Sequence, residues 1–95
     1  MGRGFEIKYH PFVLEKDIPK LDFNNKLKIK NAIKDKLLVV PEVFGKPLRQ
    51  TLRGNRKLRV GDYRIIFKIE NLTIKILIIG HRTEVYKKAL KRLPR

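Results

Sequence analysis

The segment from Arg56 to Phe67 constrains the fold more than any other part of the chain, because it has the pattern of two strands joined by a two-residue turn. Gly61 and Asp62 separate two runs of β-forming residues, and glycine at the first turn position accepts the positive φ of a type II′ turn. This turn places Val60 opposite Tyr63. The other predicted pairs are Arg59 with Arg64, Leu58 with Ile65 and Lys57 with Ile66.

The two faces of this predicted hairpin differ in chemistry, because successive side chains of a strand point to opposite sides. The apolar face, expected to form the core, carries Leu58, Val60, Tyr63, Ile65, Phe67 and Ile69. The cationic face carries Lys57, Arg59, Arg64 and Lys68. We therefore expect a sheet with one side packed inward and one side that attracts anions.

A third strand is predicted to follow a second tight turn at Glu70-Asn71. Within this strand, Leu72 to Ile79, alternation assigns to the core face Leu72, Ile74, Ile76 and Ile78. Lys75 joins the cationic face, and so do Leu77 and Ile79. Apolar residues on that face predict a cover near Gly80, and we expect a short C-terminal helix to provide it.

The N-terminal part of the chain is predicted to form a strand and a short helix. Phe5 to His10 alternates as a strand. Pro11 suits the first turn of a helix, since its φ is already helical and its missing N–H is not needed there. The helix is expected over Phe12 to Ile18 and to stop at Pro19.

A longer helix is predicted from Phe23 to about Val39, with Asp22 as its N-cap. Its apolar residues recur at fours and are Ile29, Ile33 and Leu37. The other positions are rich in lysine, which could bind phosphates, although a solvated helix face is the more frequent role. Val43 to Gly54 is predicted to be mainly loop, with a short strand at Leu48 to Leu52.

The C-terminal helix is predicted to begin at Thr83 as cap, with Glu84 in the first turn. It would present an apolar stripe formed by Val85, Ala89 and Leu93 and run to about Arg92. This stripe could cover Leu77 and Ile79. Arg82 and Tyr86 would then lie at the edge of the cationic face.

Composition limits the classes of function. The 95 residues, 42% of them hydrophobic, suit one core, so we expect a single domain over residues 1–95. Lysine and arginine number 24 against 9 aspartate and glutamate, a net charge of +15. Such a charge attracts polyanions, so nucleic acid, an acidic protein and an anionic membrane surface all remain possible partners.

Other classes are disfavoured by what the sequence lacks. It has no run of about 18 apolar residues, as a membrane-spanning helix needs, and its N-terminus lacks a signal-peptide core. Without cysteine, and with only His10 and His81, disulfides and a zinc site are not expected. We therefore expect a cytoplasmic protein that needs no metal or cofactor and has no membrane partner.

The order strand, two helices, three-stranded meander and short helix resembles the RelE/ParE superfamily of bacterial and archaeal toxins. The motifs that carry this resemblance are Lys57-Leu58-Arg59, Gly61-Asp62-Tyr63-Arg64 and Gly80-His81-Arg82-Thr83-Glu84-Val85-Tyr86. It covers nearly the whole chain. The implied fold is a small α+β domain, in which an antiparallel sheet of the N-terminal strand and the meander packs on two N-terminal helices and a short C-terminal helix follows.

The RelE branch implies the toxin of a type II toxin-antitoxin system. It would be a metal-independent endoribonuclease that enters the ribosomal A site and cuts mRNA, and an acidic or amphipathic helical segment of an antitoxin would bind it. The positions carried over by motif are Lys57, Arg64, Arg82 and Tyr86. Asn55 stands where RelE has a further lysine, and the loop before the tyrosine is shorter here, so Arg82 corresponds to either of two arginines in RelE.

RNA cleavage without a metal usually proceeds by attack of the 2′-hydroxyl on the adjacent phosphorus. Arg64 is the candidate for stabilising charge on the phosphoryl oxygens, and Lys57 is the candidate base, because Arg59 and Arg64 disfavour its protonated form. Arg82 would hold the phosphate or assist the leaving group. Tyr86 would stack on a base near the cut.

Four further residues are expected to bind RNA: Arg59, Lys68, Lys75 and His81. His81 could also act as acid or base, since the imidazole titrates near neutrality, or could simply cap a helix. Lys57 and Arg59 could be solvent-facing strand residues, and Tyr86 could be half-buried packing. Other functions also remain open, namely a ParE-like inhibitor of DNA gyrase, a basic RNA-binding module and an inactive homologue that binds an antitoxin.

Overall fold

The computed structural model describes residues 4–39, 41, 45–48 and 52–93. Within these residues the chain forms the strands β1 (Glu6–Tyr9), β2 (Lys46–Pro47), β3 (Arg56–Val60), β4 (Tyr63–Glu70) and β5 (Thr73–His81). They join in one sheet in the order β1-β5-β4-β3-β2.

The sheet is mixed, because β1 pairs with β5 in parallel while the other neighbours are antiparallel. The prediction of a wholly antiparallel sheet is therefore wrong at this one pairing. Tight turns force neighbouring strands to be antiparallel, whereas β1 is followed by helices, and a chain that passes through helices can return in parallel.

The β3–β4 hairpin has the predicted register, with Val60 opposite Tyr63. Gly61 has a φ of 59°, which glycine adopts without a steric penalty. The next turn lies one residue later than predicted, because Glu70 pairs with Thr73. Asn71, with a φ of 57°, and the exposed Leu72 form that turn, so Leu72 is not in the core.

A β-bulge in β5 changes which side chains face the core. The pairing of β4 with β5 shifts between Ile66 and Phe67, which leaves Leu77 as an extra residue. An extra residue reverses the alternation beyond it. Ile79 therefore lies in the core and Ile78 on the opposite face, so the predictions for these two residues are wrong.

Helices cover the apolar face of the sheet. The first helical segment spans residues 11–20 and includes a π-helical part, Val13–Asp17, and a 3-10 turn, Ile18–Lys20. It continues through Pro19, which the first turn of a 3-10 helix tolerates, instead of stopping before it. The helix α1 (Phe23–Ala32) follows and is extended by a π-helical part, Ile33–Leu37.

The predicted cap and apolar face of α1 are confirmed. Asp22 accepts a hydrogen bond from the N–H of Asn25 at 2.7 Å. Ile29, Ile33 and Leu37 are buried. They pack in the main core against residues of the sheet that include Leu58, Ile65, Phe67, Ile74 and Ile76.

The helix α2 (Val85–Arg92) covers the other face of the sheet at its Gly80 end, as predicted. Side chains of α2 and of this face of the sheet form the C-terminal cluster. Its buried members are Leu52, Ile66, Ile78, Val85, Ala89 and Leu93. Leu77 also packs there, whereas Ile79 does not. Thr83 is not the cap, since Glu84 takes the N-cap position without a side-chain hydrogen bond and the Thr83 hydroxyl bonds His81.

The segment between α1 and β3 is described only in part. The short strand predicted at Leu48 to Leu52 includes residues 49–51, which lie outside the described residues, and the observed β2 comes just before it.

None of the described helices is long and apolar enough to cross a membrane.

Candidate nucleic-acid interface

A cleft of about 390 Å³, which we call the basic cleft, lies along β3 and the neighbouring part of β4, between β2 and the π-helical extension of α1. Its lining consists of Lys36, Lys46, Lys57, Leu58, Arg59 and Arg64. Five of these six described residues are cationic, and none is acidic. The hairpin register produces this arrangement, because it places Arg59 directly opposite Arg64 and Lys57 on the same face. The cleft suits an anion that carries several negative charges.

Arg64 is half-buried and anchored at the hairpin turn. Its Nη1 donates to the carbonyls of Gly61 and Tyr63, both at 2.9 Å. These bonds fix the guanidinium and leave Nε and Nη2 as donors for phosphate oxygens. Arg64 therefore lies in the cleft and not in the packed interior.

Tyr86 lies beside Lys57. The Lys57 Nζ is 5.6 Å from the centre of the Tyr86 ring, within the range of a cation–π contact. The ring projects from the first turn of α2 and packs, half-buried, on the C-terminal cluster. Packing and a functional role are compatible here, because the cluster fixes the ring next to a cation of the basic cleft.

Arg82 lies at the rim, beyond the end of β5. Its N–H donates to the Asp62 carbonyl at 2.8 Å, and its Nε is 3.7 Å from Asp62 Oδ1. Ile78 is level with Lys57 in the sheet, and Arg82 is four positions further along the chain, which is roughly 13 Å along the strand. Lys57 and Arg82 thus lie at opposite ends of a strip in which Arg64 is central.

His81 is not brought to the cationic face. It pairs with Tyr63 in the sheet, and the two rings meet edge to face with their centres 5.6 Å apart. Its Nδ1 is 2.9 Å from the Thr83 hydroxyl and accepts from the Thr83 N–H at 3.2 Å. The position of His81 gives its predicted contact with RNA no support.

Lys68 and Lys75 lie on the cationic face but are paired with a carboxylate. Their Nζ atoms are 3.4 Å and 2.6 Å from the oxygens of Glu70. Both contacts lower the pKa of Glu70 from its usual range, and the hydrogen bond from Lys75 has the larger effect. The three residues line a separate cleft of about 460 Å³ together with Asn55. Binding RNA there would require competition with Glu70.

An apolar groove of about 300 Å³ lies on the other side of the molecule, between the first helical segment and α1. Its lining consists of Tyr9, Ile18, Leu21, Lys26, Ile29, Lys30, Ile33 and Ile79. Partial burial raises the pKa of the Tyr9 phenol. The two lysines at its border make it suitable for an apolar ligand with negative flanks.

Two features of the site were not predicted from the sequence. Lys36 and Lys46 join the basic cleft from outside the meander, and they could not be singled out among the many lysines. Asp17 and Arg92 form a buried ion pair that holds α2 on the sheet. The sequence indicates this pair only through the position of Asp17. Asp17 comes four positions after the core residue Val13 and therefore lies on the same face of the helix as Val13. Within the described residues, no group of three or more histidine, aspartate or glutamate side chains could hold a metal ion.

Sequence comparisons place the chain among the toxins of type II toxin-antitoxin systems. The family model described as the ParE toxin of the type II toxin-antitoxin system parDE matches residues 7–86. Toxin RelG of Mycobacterium tuberculosis is 41% identical over 50 residues, which are 50% of this chain and 58% of RelG. Toxin RelE of the same organism is 38% identical over 53 residues, 54% of this chain and 55% of that toxin. The chain therefore spans little more than half the length of the curated relatives it matches.

Solved structures confirm the α+β fold class. A chain of the toxin-antitoxin complex RelBE2 from Mycobacterium tuberculosis superposes with a TM-score of 0.76 at 27% identity, covering 83% of this chain and 99% of that one. A mutant of E. coli toxin RelE in the free state gives a TM-score of 0.70 at 21% identity, covering 96% and 99%. Because the family model spans most of the sequence and the fold agrees, the chain belongs to the RelE/ParE superfamily of type II toxins.

Proposed function

We propose that this chain is the toxin of a type II toxin-antitoxin system and that it cuts mRNA on the ribosome. The observation that supports this most directly is the contact of Lys57 with Tyr86, 5.6 Å from Nζ to the ring centre, beside the basic cleft that holds Arg64. A guanidinium held in place can stabilise charge on a phosphate, and an aromatic ring beside it can stack on a neighbouring base.

The proposed reaction is an attack of the 2′-hydroxyl on the adjacent phosphorus. The O2′–P bond forms, the P–O5′ bond breaks, and a 2′,3′-cyclic phosphate and a 5′-hydroxyl result. The base receives the 2′-proton, and the leaving O5′ takes up a proton from water. The unprotonated amine of Lys57 is the proposed base, and Arg64 stabilises the negative charge that builds on the phosphoryl oxygens.

The two remaining residues are proposed to hold the RNA. Tyr86 stacks on a base next to the cut, which would keep the phosphate over the cleft. Arg82, at the rim, grips a neighbouring phosphate or assists the leaving group. Its weak contact with Asp62 is solvent-exposed, so the cost of exchanging that partner for a phosphate is small.

The test is cleavage of mRNA by purified protein on translating ribosomes, with cut sites mapped by primer extension. Discrete cuts are expected, and Lys57→Met and Arg64→Ala should each slow cleavage by about a hundredfold or more. Lys87→Ala is the matched control, because this exposed lysine follows Tyr86 directly but lines none of the clefts described above. Intact mRNA at a concentration of toxin that stops growth would contradict the proposal.

A second candidate function is inhibition of DNA gyrase without nuclease activity. The description of the matching family model as a ParE toxin favours it. A supercoiling assay with purified gyrase separates the two functions. Loss of supercoiling together with intact mRNA would favour the gyrase inhibitor, and the cluster of Lys57, Arg64 and Tyr86 would then have a structural role.

We also propose that an antitoxin binds this chain in the cytoplasm through an amphipathic helical segment with acidic flanks. The apolar groove bordered by Lys26 and Lys30 suits such a segment, and the net charge of +15 favours an acidic partner. Two structural neighbours are toxin-antitoxin complexes, RelBE2 and DinJ-YafQ. If the gene beside this one encodes an acidic protein, co-expression should give a complex that Lys26→Glu/Lys30→Glu weakens, since both lysines are exposed at the border of the groove.

A further inference from the structure

We propose that a second cationic cleft, between the first helical segment and α2, binds the phosphate backbone of double-helical RNA. This inference rests on the proposed function and adds to it a docking site that takes no part in the chemistry. On the ribosome, folded ribosomal RNA would supply the double helix while the basic cleft holds the mRNA.

The first observation is the charge of this cleft, which has a volume of about 290 Å³ and which we call the lysine cleft. Its lining consists of Phe12, Lys16, Asp17, Lys20, Lys88, Lys91 and Arg92. Asp17 is the one carboxylate among the described lining residues, and outside the lining Glu84 pairs with Lys88 at 3.1 Å. Five cations therefore face two carboxylates, and such an excess attracts phosphates.

The second observation is that a buried ion pair holds the two walls of the lysine cleft together. Asp17 of the first helical segment and Arg92 of α2 share two hydrogen bonds, and Arg92 also donates to the Leu77 carbonyl. The guanidinium is thus occupied within the protein. The cations left to a ligand are lysines, Lys16 and Lys20 on one wall and Lys88 and Lys91 on the other.

The third observation is that the lysine cleft offers phosphate contacts but no free ring for a base. Phe12 is the one aromatic residue among its described lining residues, and the Lys16 Nζ lies over the ring at 4.3 Å from its centre. A base could stack there only by displacing this lysine. A lysine ammonium is a point charge that binds phosphate without reading a base edge.

This chemistry favours double-helical RNA over a single strand. The bases of an RNA helix already stack on one another, and proteins recognise such a helix mainly through its phosphates and 2′-hydroxyls. Single strands are instead held by aromatic rings on which their bases stack. The basic cleft has such a ring beside it in Tyr86, so the two clefts suit different forms of RNA.

An acidic protein segment fits the lysine cleft less well. A bound amphipathic helix needs an apolar surface, and Phe12 is the one apolar side chain among the described lining residues. The apolar groove offers that surface. None of the described lining residues is shared between the groove and the lysine cleft.

The fourth observation is that the lysine cleft lies on the side of α2 that faces away from the basic cleft. Tyr86, which contacts Lys57 of the basic cleft, and Lys88 are two positions apart, roughly 200° around the helix axis. A helix with its side chains is roughly 10 Å across, so at least this distance separates the two clefts. Both clefts can therefore bind RNA at the same time.

The test measures binding apart from cleavage. The full chain is titrated into two fluorescently labelled RNAs, a hairpin with a double-helical stem and an unstructured single strand. Both carry 2′-O-methyl groups, so the 2′-oxygen cannot attack, and anisotropy is followed at several salt concentrations.

Lys16→Ala/Lys91→Ala is compared with Lys34→Ala/Lys87→Ala. Each double variant loses one charge from α2 and one from another helical segment. Lys34 and Lys87 are exposed and line neither the lysine cleft nor the basic cleft. Circular dichroism verifies that both variants fold.

We expect the Lys16/Lys91 variant to lower the slope of log K against log salt on the hairpin by about 1.8, since each phosphate contact on a duplex contributes about 0.9. Its affinity for the hairpin near 0.1 M salt should fall roughly tenfold or more. Its binding of the single strand, and hairpin binding by the Lys34/Lys87 variant, should change little.

Three results would overturn the proposal. The first is an equal loss of hairpin binding in both double variants, and the second is an equal loss on the single strand and the hairpin. The third is unchanged hairpin binding by the Lys16/Lys91 variant. If that third result came with weaker binding of the acidic antitoxin, the lysine cleft would be assigned to the protein partner.

Cleavage of mRNA at increasing ribosome concentration separates this proposal from the proposed function. If the wild-type chain leaves mRNA intact but hairpin binding depends on Lys16 and Lys91, the nuclease proposal fails and the RNA site stands. If the wild-type chain cleaves and the variant binds the hairpin normally, the RNA site fails and the nuclease proposal stands.

Where both proposals hold, the Lys16/Lys91 variant should need roughly tenfold more ribosomes for its half-maximal rate, in line with the loss of hairpin affinity. At saturating ribosomes it should reach the wild-type rate, because the lysine cleft only holds the RNA. An unchanged ribosome requirement would overturn the docking role.

Discussion

Asp17 and Arg92 form a bidentate ion pair, with Nη1 2.7 Å from Oδ2 and Nη2 2.9 Å from Oδ1. The Asp17 carboxylate also accepts from the Ile79 N–H at 2.9 Å, and Arg92 Nη1 donates to the Leu77 carbonyl at 3.2 Å. Both backbone groups lie beyond Ile76, where the pairing of β5 with β1 ends. The ion pair therefore takes the place of a missing strand neighbour and ties α2 to the first helical segment.

We predict that Arg92→Ala lowers the free energy of unfolding by about 3 to 5 kcal/mol, because it leaves a buried carboxylate without its counter-ion. The two side chains are 9% and 3% exposed, so water cannot replace the partner easily. Asp17→Leu/Arg92→Met should cost less, since it removes both charges, although the Ile79 N–H then loses its acceptor at about 1 to 3 kcal/mol. Urea denaturation at neutral pH measures these values.

Lys88→Ala is the control for this pair. It removes a second ion pair of α2, in which Nζ is 3.1 Å from Glu84 Oε2 on an exposed surface. Such a pair contributes less than about 1 kcal/mol. A loss of stability in Arg92→Ala that is no larger than in Lys88→Ala would contradict a structural role for the buried pair.

The hairpin could be predicted from the sequence because its register depends on local chemistry. Gly61 at the turn and the alternation of cationic with apolar residues on both strands specify one pairing. The bulge in β5 could not be predicted in the same way. Residues 76–79 are Ile, Leu, Ile and Ile, so no polar side chain there distinguishes one face from the other.

The same distinction applies to the site. Lys57 and Arg64 follow from the hairpin, and the position of Tyr86 follows from the apolar stripe of α2. The contribution of Lys36 depends on how α1 crosses the sheet, and that of Asp17 on a partner 75 residues away. Such contacts arise from tertiary packing, which a period of two or four residues does not encode.

We predict that Gly45→Ala is destabilising by about 1 to 3 kcal/mol, because a methyl group there would overlap the ring of the fully buried Phe67. Gly80→Ala is the matched control, since its new methyl would meet Val85 at an ordinary 3.4 Å. Thermal unfolding should show a Tm lower by several degrees for Gly45→Ala and nearly unchanged for Gly80→Ala. Equal shifts would contradict the close contact.

We predict that Lys75→Met raises the pKa of Glu70 towards its ordinary value of 4.5, because the hydrogen bond from Lys75 is the main cause of the lowering. A carboxyl whose pKa is lower in the folded state stabilises the fold above its unfolded pKa. That contribution is lost as the pH falls below about 4.5 through the folded pKa. Carbon NMR of the side-chain carboxyl follows the titration.

Glu84 provides an internal control in the same spectra. Its pKa is lowered by the bond from Lys88, which Lys75→Met does not touch. The titration of Glu84 should therefore be the same in the variant and in the wild-type chain. A pKa of Glu70 that does not change in Lys75→Met would show that the observed contact with Lys75 is not maintained in solution.

We predict that Tyr86→Ala slows ribosomal cleavage by about tenfold or more, since base–aromatic stacking contributes about 1 to 3 kcal/mol for each base. Tyr86→Phe should retain most of the rate, because the ring and its packing are unchanged. Leu48→Ala is the control for packing: Leu48 lies against the same C-terminal cluster but lines none of the clefts described above, so it should lower stability and leave the rate unchanged. If Leu48→Ala slows cleavage as much as Tyr86→Ala does, the role of Tyr86 is packing and not stacking on RNA. If Tyr86→Phe is as slow as Tyr86→Ala, the hydroxyl and not the ring is the functional group.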